Sequence, residues 1–233
     1  MATSTGHLIG VLTSPEKTFQ ALREKPAWIV ALLVLVLLGA GANWFATQKT
    51  DAEDLVRAGI EQRGQELDEN QIQNAIDFQE KFGTLLFVGG AVIAAPVVYL
   101  VVALVCWVAF NLVGGDWRFK HAFSTVLHSF MPWAVAALLT IPIVMSRSEI
   151  SAAELQGGNL LPSSLALLAG DETSPVVKAL LGSVDLFSIW SLFLLATGAS
   201  VVARISKSTA ITTTAIIWAV YIMVKLGWVS IWT

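Results

Sequence analysis

Residues 84–113 read TLLFVGGAVIAAPVVYLVVALVCWVAFNLV, an apolar run without a charged side chain. Lipid offers no partner to free backbone N–H and C=O groups, so such a run is stable in a bilayer only as a helix. About 20 residues cross a hydrocarbon core of about 30 Å, whereas about 30 residues rise about 45 Å. The helix predicted here therefore tilts, bends or protrudes. Pro96 lacks an amide hydrogen and is its candidate kink.

Working outward, four more stretches meet the same length and polarity requirement. Residues 27–46 follow Pro26 and carry Trp28 and Trp44, whose amphipathic rings suit the two interfaces. Residues 123–145 contain the candidate kinks Pro132 and Pro142, whose freed carbonyls need partners from side chains or neighbouring helices. Residues 181–203 and 209–229 are joined by a short linker holding Arg204 and Lys207, which makes them an antiparallel hairpin. Ala40-Gly41-Ala42 looks like a signal-peptide cleavage site, but the preceding 26 residues are long for an n-region and include Glu16 and Glu24, which argues for a span instead. The expected fold is all-α: a polytopic transmembrane bundle of five helices forming one domain over residues 1–233, with a small acidic helical segment between spans one and two.

Composition agrees. The 233 residues are 55% apolar and only 13% charged, against about a quarter charged in soluble domains. Mean hydropathy is +0.70. Net charge is −3 and no strongly basic stretch exists to meet a phosphate backbone, so nucleic acid is not expected as a partner. The single cysteine, Cys106, has no intramolecular disulfide partner.

Lysine and arginine placement sets the orientation. With the N-terminus inside, the inner segments hold Lys17, Arg23, Lys25, Arg118, Lys120, Arg204 and Lys207, packed close to helix ends. The other seven bases are spread over longer outer segments. A cytoplasmic N-terminus and an external C-terminus follow as the expectation.

Outside the spans, Ser14-Pro15-Glu16-Lys17 reads as a capped helix start. Phe19 and Leu22 then form an apolar face expected to lie on the inner membrane surface. Residues 48–82 carry nine acids against four bases, with apolar residues at helical spacing and a break at Asp68-Glu69-Asn70. They read as an acidic helical cap, either packed on the spans or offered to an extracytoplasmic partner. Residues 146–180, with Gly157-Gly158, Pro162 and a cap signal at Ser174-Pro175, read as an interfacial or partly re-entrant turn.

Ionisable groups inside spans are the default place to look for chemistry, since each costs about 2.5–3.5 kcal/mol to insert. Asp185 and Lys225 lie 21 and 19 residues from Ser206, hence at nearly the same height in adjacent helices. An ion pair that fixes register and separate snorkelling are both open. His128, Asn111 and Ser129 read as an inner-leaflet hydrogen-bond cluster, and Trp190, inside span four, as an inward-packed or partner-facing ring. No nucleophile with a base, no metal-ligand spacing and no cofactor motif presents itself, so neither catalysis, metal nor cofactor is expected.

Several motifs then fall in one order: Ser14-Pro15-x-x-Thr18-Phe19; Gly114-Gly115 with Phe119-Lys120-His121-Ala122-Phe123; Pro132; Asp185-x-Phe187-x-Ile189-Trp190; Gly198; and the Lys207 linker. In this order and spacing the chain resembles the Ypt-interacting-protein (Yip) domain family of five-span membrane proteins, in its short bacterial form. The resemblance implies a non-catalytic integral membrane protein of a bacterial inner membrane. Eukaryotic members bind Rab-type GTPases through a long cytosolic N-terminal region, and only about 26 residues precede the first span here, so a Rab-type GTPase partner is not expected. Some bacterial relatives look like accessory subunits of ABC-type exporters. The expected function is thus a scaffold or accessory subunit of a membrane transport, export or trafficking assembly, partnered by the lipid bilayer and other membrane proteins; the alternative is a small transporter or lipid-handling protein.

Overall fold

A computed structural model describes residues 4–157, 160–170 and 173–231 of the chain. Those residues form no strand, and the only bridge of β type among them joins Ser164 to Asp185. The helices are α1 Ser4–Thr13, α2 Pro15–Glu24, α3 Ile29–Thr47, α4 Ala52–Arg63, α5 Glu69–Leu112, α6 Phe119–Ser129, α7 Met131–Ser146, α8 Ala152–Gly157, α9 Pro175–Gly182, α10 Leu186–Val202 and α11 Lys207–Ile231, with a 3-10 turn at Leu165–Leu168. Four stretches are long and apolar enough to cross a membrane: α3, α5, the α6–α7 stretch and α11. Helix α10 is apolar but shorter.

Helix α5 departs from the expected span of 84–113. It is 44 residues long, about 66 Å, and continues unbroken through Pro96, so the second helix expected within residues 48–82 is the first part of α5. Its start is fixed by a reciprocal capping box: the Gln71 amide donates to Asp68 Oδ1 at 2.9 Å, and the Asp68 amide donates to Gln71 Oε1 at 3.0 Å. Gly64, at φ +59°, ends α4 in the left-handed conformation that glycine adopts without strain.

The expected third span is interrupted at Phe130, between α6 and α7. Pro132 is the second residue of α7, in the first turn, where a missing amide hydrogen costs least. Pro142 lies inside α7. The expected fourth span, 181–203, is likewise two pieces. Helix α9 ends at Gly182, and α10 begins after Asp185. Helix α1 had no counterpart in the sequence reading.

The chain divides into two compact units: Met1–Leu35, Val97–Ala134 and Ser163–Thr233 form one, Val36–Pro96 and Val135–Pro162 the other. In the first, α10 packs against α11, α2 and α6. The apolar face of α2 is therefore spent on protein: Thr18, Phe19 and Leu22 are buried within this unit instead of lying on the bilayer surface. Gly198 makes this possible, because a Cβ there would come within 2.8 Å of the Phe19 ring and 2.6 Å of Thr125 Cγ2. In the second unit, Ala46, Val144, Ile150, Leu155 and Leu160 form a core joined by Phe45 and Leu55. Its polar seams are the Ile150 amide donating to Lys49 O at 2.8 Å and the Ala152 amide donating to Asp54 Oδ2 at 2.6 Å.

Candidate functional site

The polar side chains of the apolar helices were the candidates for function. Asp185 is buried at the N-cap of α10. Its Oδ1 accepts from the amides of Phe187 at 2.8 Å and Ser188 at 3.0 Å, and its Oδ2 accepts from the Ser188 hydroxyl. The carboxylate thus supplies what the first turn of a helix lacks, acceptors for its free amides, at the end where the helix dipole favours negative charge.

Lys225 reaches the same neighbourhood by another route. Its ammonium donates to Ser183 Oγ at 2.9 Å and to Ala179 O at 3.3 Å, which ties α11 to the C-terminal end of α9. No ion pair within 4.0 Å joins it to Asp185. The two side chains do come to the same neighbourhood, but each is hydrogen-bonded by uncharged partners, Asp185 by the first turn of α10 and Lys225 by α9 and Ser183.

His128, Asn111 and Ser129 do not form a shared cluster. His128 Nδ1 donates to Ser124 O at 2.8 Å, Ser129 Oγ to Thr125 O at 2.8 Å and Asn111 Nδ2 to Trp107 O at 2.7 Å. Each bonds a carbonyl four residues back on its own helix, the arrangement that satisfies a polar side chain without help from a neighbour. Thr140 does the same to Ala136 O at 2.9 Å, between Pro132 and Pro142. The neighbour that sequence did not indicate is His7 of α1, whose ring meets that of His128 edge-on with centroids 6.3 Å apart. Trp190 is half-buried on α10. Among the described residues, no group of three His, Cys, Asp or Glu side chains could hold a metal ion.

Three segments that connect helices meet in the first unit. Glu16 of α2 pairs with Lys207 at the start of α11. Arg23 Nη1 donates to Val201 O at 3.5 Å. The Asp116 amide donates to Ala203 O at 2.9 Å. The loop that ends in Asp116 is closed by the Gly115 amide donating to Phe110 O at 2.8 Å, and Gly115 is needed there because a Cβ would fall 2.6 Å from that oxygen. The α1–α2 segment, the loop before α6 and the α10–α11 linker therefore share one face, which carries the exposed bases Lys17, Lys25, Arg118, Lys120, Arg204 and Lys207.

In the second unit, Arg147 Nη1 lies 2.6 Å from Glu154 Oε1. The hydrogen bond from Arg147, with a further one from the Ser151 amide, holds the Glu154 carboxyl below the usual glutamate range.

Four apolar stretches of spanning length in one chain define a multi-pass integral membrane protein. The chain belongs to the Yip1 domain family, whose model matches residues 9–229. It is similar to "Membrane protein YknW" of Bacillus subtilis (strain 168), with 27% identity over 226 residues that cover 97% of this chain and 90% of the relative. No solved structure matches it significantly.

Proposed function

We propose that the chain is a non-catalytic scaffold or accessory subunit of a membrane transport, export or trafficking assembly, crossing a bacterial inner membrane five times with its N-terminus cytoplasmic and its C-terminus outside. The observation that carries this reading is the bare apolar surface of α5 and α11. Ile93 is 73% exposed and Leu112 81%, and Val97, Val101, Leu104, Ile216, Val220 and Val224 are exposed in the same way. A helix that commits so little of its surface to its own fold offers the rest to lipid or to other membrane helices. Asp185, meanwhile, is spent on a helix cap, and His128, Ser129, Asn111 and Thr140 on carbonyls of their own helices, which fits a structural part better than a reaction centre. The shared basic face supports the orientation, since bases near helix ends stay on the cytoplasmic side.

Purification from native membranes in mild detergent tests the reading. An exporter subunit of the ABC type, or another defined membrane complex, should co-purify in fixed stoichiometry, and tryptophan substitutions at Val97 and Val101 should release it. A clean monomer at native expression, or reconstituted solute flux or lipid scrambling that Asp185→Asn abolishes, would contradict it and favour a small transporter.

A further inference from the structure

We propose that the turn Leu165–Leu168 is a non-spanning membrane wedge, inserted among the acyl chains of the leaflet opposite the α10–α11 linker. The turn is fastened to the start of α10: the Leu186 amide donates to Ser163 O at 3.1 Å, the Leu165 amide donates to Val184 O at 3.0 Å, and Ser164 bridges Asp185. This attachment fixes its depth. Helix α10 has 17 residues, so Leu186 stands about 25 Å from the linker at 1.5 Å per residue, inside a hydrocarbon core of about 30 Å.

At that level the turn presents leucines outward. Leu167 is 66% exposed and Leu168 78%, with Leu165 exposed beside them. They continue the uncovered surface of α10 formed by Leu186, Ile189 and Phe193, and Val177 and Leu180 of α9 are exposed as well. Exposed leucines on a water-facing loop would be costly; against acyl chains they are favourable.

The backbone amides bear on a stricter condition. Irregular structure survives at lipid depth only where its polar groups are satisfied within the protein. The Leu167 amide donates to Ser164 O at 3.4 Å, the Ala169 amide to Ala166 O at 3.0 Å and the Ala166 amide to Ser164 Oγ at 3.3 Å. Together with Leu165 and Leu186, five amides of this short stretch and its anchor are internally bonded. Two charges near the same level are hydrogen-bonded as well, Asp185 by the first turn of α10 and Lys225 by Ser183 and Ala179.

The inference rests on membrane insertion alone and not on the scaffold role. It is tested in a Cys106→Ala background, since Cys106 is buried and free. Leu167→Cys and Leu168→Cys, each labelled with an environment-sensitive fluorophore in nanodiscs, should emit at blue-shifted wavelengths. Quenching by lipids carrying a spin label near the carbonyl end of the acyl chain should exceed quenching by aqueous iodide several-fold. Emission at the aqueous wavelength with dominant iodide quenching at both sites would overturn the proposal. So would a blue shift insensitive to lipid quencher, which would point to protein covering the leucines.

Discussion

If Asp185 works as a helix cap and not as half of an ion pair, removing its acceptors and removing its charge must have different effects. Asp185→Ala deletes the acceptor used by the Phe187 and Ser188 amides and by the Ser188 hydroxyl, at a position only 6% exposed. Cap removal costs about 1 kcal/mol and leaving buried donors unpaired about 1–3 kcal/mol, so a loss of about 2 kcal/mol is expected. Asp185→Asn keeps an acceptor oxygen in place, and asparagine caps as well as aspartate, so its loss should stay below about 0.5 kcal/mol. Lys225→Met removes the bonds to Ser183 and Ala179, and because no ion pair joins it to Asp185, combining it with Asp185→Ala should show a coupling of less than about 1 kcal/mol. Equilibrium unfolding in mixed micelles, followed by tryptophan fluorescence, reads all four variants. The cap reasoning is refuted if Asn is as damaging as Ala, or if the double variant recovers more than about 1 kcal/mol of the two single losses.

Gly198→Ala sets a methyl against Thr125 Cγ2 and the Phe19 ring. Overpacking of about 1–3 kcal/mol less a helix-propensity gain of about 1 kcal/mol leaves a net loss that Thr125→Ser should partly restore in the same unfolding assay. Gly115→Ala should weaken the loop that donates Asp116 to Ala203, seen as a lower melting temperature and faster proteolysis between α5 and α6. Because the folded Glu154 carboxyl is held below its unfolded value, its stabilisation is present above the ordinary glutamate range and disappears as pH falls through the lowered value. The melting-temperature gap between the native chain and Glu154→Gln should therefore close as pH falls from neutral through and below the ordinary glutamate range; a gap that stays constant contradicts the pairing.

Hydropathy made the apolar helices legible, because a bilayer imposes one length and one polarity rule on every crossing. Local punctuation was legible too: Asp68 and Ser174 mark helix starts that the structure contains. Ser14 marks a start as well, although its hydroxyl makes no cap bond. What sequence concealed was the use of each face. Phe19 and Leu22 look alike whether they meet lipid or protein, and only the approach that Gly198 permits decides between the two. His128, Ser129 and Asn111 have the chemistry for a mutual network, but each has a carbonyl one turn away that serves equally well. Asp185 carried a readable cap signal, an aspartate ahead of an apolar helix. It was masked by the apolar residues on either side, Leu180-Leu181 before it and Leu186-Phe187 after it, which hid the break between α9 and α10.

The most direct measurement of the membrane arrangement is single-cysteine labelling with an impermeant maleimide in sealed vesicles of known sidedness. In the Cys106→Ala background, Lys17→Cys, Lys120→Cys and Ser208→Cys should all react only in inside-out vesicles, because their segments are joined through Glu16–Lys207 and Asp116–Ala203. Gln65→Cys, beyond α3, should react only in right-side-out vesicles. Labelling of any of the first three from the side opposite the other two, or of Gln65→Cys from the same side as all three, would contradict the topology.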